Sequence, residues 1–233
     1  DENGLEVVES IKTEGGTAYY QHCDVTDESQ VIELMSQAQQ KLGGIDVLHN
    51  NAGVHESMVS EDLSLDTMSL ETFNKVMDIN VTGSWLCAKH ALPYLRKSKY
   101  ASIINAGSTS SLAGYPNCVA YGTSKGAVMQ MTKMLAVDLA VDGIRVNCYC
   151  PGSIHTQMVD NFLEAAPDPE AMLNTMTMTH LIPRMGKPKD VAELVCFLAS
   201  PEASFINGAV WLIDGGSLAW RGTLDVLGMG DKI

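Results

Sequence analysis

No stretch of the 233 residues approaches the roughly 20 consecutive apolar residues that a bilayer-crossing helix needs. The opening residues, Asp1-Glu2-Asn3-Gly4, are acidic and polar and do not read as a signal peptide. Basic residues are scarce: 15 Lys and Arg stand against 28 Asp and Glu, for a net charge of −13. Nucleic acid, anionic membranes and acidic carrier proteins would be repelled at long range, so none is expected as a partner. A small neutral substrate is untouched by that argument. The six cysteines (23, 87, 118, 148, 150 and 196) form no CxxC pair, and the six histidines form no HExxH. Cys148 and Cys150 share one face of an expected strand but lack partners at metal-ligand spacing. Free thiols, no structural metal and a reducing, cytoplasmic compartment are the expectation. Although 20 glycines are present, none forms the GxGxxG or GxxxGxG turn that cradles a pyrophosphate.

What the sequence does contain is the composition of a folded α/β domain. Hydrophobic residues make up 45% and charged residues 18%, which excludes bulk disorder. Short apolar runs alternate with amphipathic ones. Helices are expected over 4–14, 27–42 (capped by Thr26 or Asp27), 70–95, 119–142 and 188–199. Strands are expected over 17–22, 45–49, 101–105, 144–150 and 208–213. The pattern implies a Rossmann-like, doubly wound parallel sheet in three α/β/α layers, with right-handed crossovers. Such a sheet normally opens with a strand, a glycine-rich turn and a helix. The sequence reads from just after the second strand, so the first strand or strands are expected to be lacking. The first strand is central in the usual order, so its absence leaves a gap inside the sheet.

The strongest chemical pattern is Tyr121-Gly122-Thr123-Ser124-Lys125. Positions i and i+4 of a helix lie on one face, which sets a phenol beside an ammonium. A neighbouring cation favours phenolate, so the pair suits proton exchange between a hydroxyl and a carbonyl. Read alone, the motif equally describes a solvated surface pair. Thirteen residues upstream, Ser108 follows the strand over 101–105. It sits where parallel sheets bind ligands, with Ser110 and Ser111 as rivals in the same loop. One strand earlier, His49-Asn50-Asn51-Ala52-Gly53 offers small residues for close approach of a flat ligand, or an ordinary Asn-Gly turn. Asn80 is polar in an apolar helix, either as a satisfied core amide or to order a water near Lys125.

These segments, in this order and spacing, resemble the short-chain dehydrogenase/reductase family. The resemblance rests on Asn50-Asn51-Ala52-Gly53, Asn80, Ser108, Tyr121-xxx-Lys125, Pro151-Gly152 and Asp214-Gly215-Gly216. It covers residues 1–217, read as one dinucleotide-binding catalytic domain, and leaves 218–233 as a C-terminal tail in which Trp220 and residues 224–227 are expected to pack on a neighbouring subunit. The resemblance implies a catalytic set: Tyr121 as acid/base, Lys125 to lower its pKa and bind the nicotinamide ribose, Ser108 to orient the substrate oxygen, and Asn80 to hold a proton-relay water. It also implies cofactor contacts. Asp24 and Val25 match the adenine-binding pair, although Asp24 serves equally as a turn or cap residue. Asn51, Ala52 and Gly53 match the segment beside ribose and pyrophosphate. Pro151, Gly152, Ile154 and Thr156 match the nicotinamide-carboxamide loop. The cofactor implied is NAD or NADP, with acidic Asp1 and Glu2 favouring NAD.

The implied activity is hydride transfer between NAD(P) and a small or medium secondary alcohol or ketone. Residues 155–185 read as a long, irregular, Met-rich substrate lid (Met158, Met172, Met176, Met178, Met185) or as helix-packing methionines. Arg184 and Lys187 are the fixed cations nearby, which disfavours a heavily phosphorylated substrate. The helices over 70–95 and 119–142 resemble those that pair subunits in the family, so a homotetramer or homodimer is expected. Two rival readings stand: a catalytically impaired member of the fold acting by association, and an epimerase or dehydratase. The short C-terminal region argues against the second.

Overall fold

A computed structural model of the chain describes residues 2–220 and residue 222. The expectation for 224–227 lies outside the described residues, as does that for Asp1. Helices α1 (Glu2–Thr13) and α2 (Glu28–Leu42) come first, followed by β1 (Val47–Asn50), α3 (Leu70–Met77), α4 (Gly83–Leu95) and β2 (Ser102–Ala106). Then come α5 (Val119–Asp138), β3 (Arg145–Pro151), α6 (Gln157–Ala165), α7 (Pro169–Met178), α8 (Pro188–Ala199) and β4 (Val210–Ile213). All four strands are parallel, in the order β1-β2-β3-β4.

The two-residue period of a strand sends neighbours to opposite faces. On β2, Ile103 enters a core built with Leu86, Ala91 and Leu95 of α4 and Val31 and Met35 of α2. The next residue, Ile104, enters a second core with Tyr149, Leu198 and Trp211, closed by α8. Helices therefore cover both faces, as expected of a three-layer α/β fold. The chain steps across the sheet in one direction, yet α8 lies opposite α4 and α5. The β3–β4 connection thus has the opposite hand to the other two, against the expectation of uniform right-handed crossovers. The connection runs over residues 152–209 and carries α6 and α7 besides α8, so it is no ordinary βαβ unit.

Three expectations are corrected. Residues 17–23 form no strand and join no ladder among the described residues. A strand needs a neighbour to accept its hydrogen bonds, and β1 pairs only with β2. Between residues 20–25 and β1 lies a cavity of about 330 Å³, lined by Tyr20, Cys23 and Val25 on one side and Leu48 and Asn50 on the other. Second, β1 is not a buried strand: Val47 and His49 are exposed. Third, residues 155–185 are not irregular, since α6 and α7 fill most of them.

The helix expected over 70–95 is continuous but carries a π turn at Asp78–Thr82. Such one-residue insertions recur at functional sites, and this one holds Asn80. The start of α2 follows the expected cap: Asp27 accepts from Ser29 N and Gln30 N.

Candidate active site

The carboxyl ends of β1, β2 and β3 converge on one region. The β2 ladder runs one residue past Ala106, with Gly107 N donating to Tyr149 O at 2.8 Å. Only glycine fits there, because a Cβ on Gly107 would lie 2.7 Å from Cys150 Sγ and 2.8 Å from Cys148 Sγ. The next residue is Ser108. It caps the short turn Thr109–Ser111: its Oγ accepts from Ser110 N, and Ser108 N donates to Ser111 Oγ. Of the three serines, Ser108 is the one whose hydroxyl bears on the Tyr121 phenol, favouring its ionised form.

Tyr121 and Lys125 lie one turn apart on α5, and both point into the site. The phenol's pKa is raised by burial, opposed by the Ser108 hydroxyl. Lys125 is only 5% exposed. Its Nζ donates to Ala106 O at 2.8 Å and lies 5.6 Å from the Tyr121 ring centre. Burial pulls the ammonium down to about 8. That burial of Lys125 excludes a solvated surface pair. Asn80, in the π turn, is almost wholly buried. Its Oδ1 accepts from Val54 N at 2.8 Å, and its Nδ2 donates to Val54 O and Ser124 Oγ, each at 2.9 Å. Ser124 Oγ in turn donates to Tyr121 O at 2.7 Å. The Asn80 side chain thus latches the loop after β1 to α5. A Cβ on Gly53 would sit 3.2 Å from both Asn80 Oδ1 and Lys125 Nζ, so the bare glycine is what lets the loop lie against them.

The remaining expected residues divide into two groups. Asn51 and Ala52 rim the 330 Å³ cavity, and Val25 lines it. Asn51 is held by Tyr149, whose buried hydroxyl donates to Asn51 Oδ1 at 3.0 Å and lies 2.9 Å from His49 Nε2. Asp24 is exposed and takes Thr26 N and Oγ1 on its Oδ1, which lowers its pKa. Gly152 and Ile154 line a different cavity of about 250 Å³ with His180, Arg184 and Asp214. Pro151, which ends β3, and Thr156, which opens α6, flank that loop. Ser108, Tyr121, Lys125 and Asn80 are therefore brought together with residues 51–54, whereas the 151–156 segment serves the neighbouring hollow. Arg184 is engaged by Asp190 through two bonds of 2.7 and 3.0 Å.

Sequence reasoning passed over His55 and Glu56. Glu56 is fully buried and accepts from the N–H groups of Ala120 and Tyr121. His55 stacks 5.1 Å from the Tyr121 ring and meets Phe162 of α6 edge-on at 5.0 Å. The available signal was the start of α5, where Cys118 supplies no side-chain cap. Among the described residues no three His, Cys, Asp or Glu side chains form a group that could hold a metal ion, and no helix is long and apolar enough to cross a membrane.

The fold is that of a Rossmann-like α/β protein, with a hydroxyl, a phenol and a buried ammonium gathered at the carboxyl edge of its parallel sheet. The family model described as enoyl-(acyl carrier protein) reductase matches residues 1–217. The chain is 36% identical to meso-2,3-butanediol dehydrogenase of Serratia marcescens, covering 89% of this chain and 78% of that one. It is 37% identical to the inactive 2-(S)-hydroxypropyl-CoM dehydrogenase 2 of Xanthobacter autotrophicus, covering 88% and 87%. The structure of ElxO with NADP bound superposes with a TM-score of 0.82 at 34% identity, covering 94% of this chain and 86% of that one. The chain belongs to the short-chain dehydrogenase/reductase family.

Proposed function

We propose that the protein is an NAD(P)-dependent oxidoreductase that interconverts a small or medium secondary alcohol and its ketone, with Tyr121 as acid/base. The observation that carries this reading is the Ser108–Tyr121–Lys125 cluster: a phenol facing a buried serine and one helical turn from a buried ammonium. Ser108 holds the reacting oxygen. Tyr121 takes the hydroxyl proton in oxidation and returns it in reduction. Lys125 supplies the positive charge that stabilises phenolate as it forms. Asn80 keeps residues 51–54 seated against α5, and with them any relay water near Lys125. The nicotinamide, when bound, supplies or takes the hydride.

The residues fit the ribose end of such a cofactor. Gly53 offers a bare backbone beside Lys125 Nζ, and Asn51 and Ala52 edge an adjoining cavity. Asp24 and Val25 are assigned to the adenine, and Pro151, Gly152, Ile154 and Thr156 to the carboxamide. The pyrophosphate has no glycine-rich cradle among the described residues, so no role is assigned there. Acidic Glu2 favours NAD over NADP. Subunit pairing through α4 and α5 into a homodimer or homotetramer is supported by exposed Trp85, Met134 and Val137. A reducing, cytoplasmic setting suits the six free thiols.

The similarity to the Serratia butanediol dehydrogenase makes vicinal diols and hydroxyketones the first substrates to test. Nicotinamide absorbance, followed with a panel of secondary alcohols and diols plus NAD or NADP, should show turnover with at least one. Cofactor binding without turnover on any member would favour the rival reading, action by association.

A further inference from the structure

Helix α5 begins without a cap of its own. Cys118 makes no side-chain hydrogen bond at the N-cap position, and the first turn carries no acidic residue. First-turn N–H groups need acceptors, and they form the positive end of the helix dipole. Here the acceptor comes from 64 residues upstream in the chain. Glu56 Oε1 accepts from Ala120 N at 3.1 Å, and Oε2 accepts from Tyr121 N at 3.0 Å. The carboxylate is 0% exposed, and a carboxylate is almost never buried so fully unless it is paired. Its other neighbour is His55, whose Nε2 lies 3.6 Å from Oε2. Ser57 N donates to His55 Nδ1, which puts the ring proton on Nε2, facing Glu56 and Cys118 Sγ.

We propose that Glu56 is a positioning residue for proton transfer: by clamping the first-turn N–H groups of α5 to the loop that leaves β1, it sets the Tyr121 phenol against Ser108. This rests on the reading of Tyr121 as the acid/base. The geometry is specific to that residue, because one of the two clamped amides is Tyr121's own. The clamp also joins the two halves of the site. Residues 51–54 hang from α5 through Asn80 on one side and through Glu56 on the other. Its charge adds a second effect. Facing the phenol are Ser108 from the β2 exit, Cys118 and Glu56 at the helix start, Cys150 from β3, His55 from the loop and Lys125 from α5 itself. Among them Cys118, Cys150 and Glu56 oppose formation of phenolate, and Glu56 is the carboxylate. Removing its charge should therefore ease deprotonation.

The test uses Glu56→Gln and Glu56→Asp beside Tyr121→Phe. For Glu56→Gln, kcat should fall about ten- to a hundredfold, the range that follows a misplacement near 1 Å, with KM within about threefold of the parent. Its pH profile for alcohol oxidation, which rises as phenolate forms, should move to lower pH. Amide hydrogen exchange at Ala120 and Tyr121 should speed up in the same variant. Glu56→Asp keeps the charge on a shorter arm, so kcat should fall while the profile stays in place. It also keeps the test open if the Gln variant does not fold. A Glu56→Gln enzyme with parental kcat and exchange, a kcat loss with an unmoved profile, or a Glu56→Asp enzyme indistinguishable from the parent would overturn the proposal. If Tyr121→Phe retains turnover, the functional reading fails instead, and the two failures are separable.

Discussion

Replacing Lys125 by Met removes an ammonium that the fold buries at a cost. The group is 5% exposed and its pKa is held near 8, against an ordinary 10.5. That difference corresponds to about 3 kcal/mol at pH values where the group is charged in both states. Between pH 8 and 10.5 the folded protein binds fewer protons at this site than the unfolded chain. Stability therefore rises with pH across that window, and below it the burial penalty stands in full. Against this, the charged hydrogen bond to Ala106 O contributes about 1.5–3 kcal/mol. The two nearly cancel at neutral pH, so Lys125→Met should leave stability at pH 7 within about 1 kcal/mol of the parent while abolishing turnover. At pH 10 the parent should have gained about 2–3 kcal/mol relative to the variant. Urea unfolding at the two pH values measures it. A parent–variant gap that does not change with pH would show that Lys125 is not buried as a strained cation.

Three further outcomes follow from single contacts. Gly107→Ala should destabilise by about 1–3 kcal/mol, because its Cβ would meet the Cys148 and Cys150 sulfurs; adding Cys150→Ala should recover part of the loss in thermal unfolding. Asn105→Leu should cost about 2–4 kcal/mol in urea unfolding, since buried Asn105 accepts from Asn50 Nδ2 and donates to Thr132 Oγ1, tying β1, β2 and α5 together. Tyr149→Phe frees Asn51 from its hydrogen bond, so NAD(P) affinity by fluorescence titration should weaken severalfold with stability lowered by only about 1 kcal/mol.

The helices were legible where local chemistry ends them. Asp27 opens α2 and Gly43, in a left-handed conformation, closes it. Helix α8 begins at Pro188 and stops before the extended Ser200. The central strands β2 and β3 were legible as short, mainly apolar runs, because both faces are covered. Residues 17–23 have equal strand character but lack a ladder, which is a property of neighbours and not of local sequence. Helix α7 was missed because it buries only Thr177 and no strong period marks it; α6 is amphipathic, but it spans only nine residues and buries only Val159. The π turn at Asp78–Thr82 is one extra residue within an apolar helix, and nothing in its composition marks it. For the site, Tyr121, Lys125, Ser108 and Asn80 were legible through spacing and strand ends. Glu56 was not, because its role arises from a contact 64 residues away in the chain.

The central claim is that Tyr121 moves the proton. Single-turnover reduction of a ketone accepted in the substrate panel, compared between parent and Tyr121→Phe at saturating NAD(P)H, tests it most directly. A positioned acid/base contributes about 10²–10⁴-fold, so the account predicts a rate loss in that range with cofactor affinity within about threefold of the parent. A Tyr121→Phe enzyme that reduces the ketone at the parental rate would contradict it.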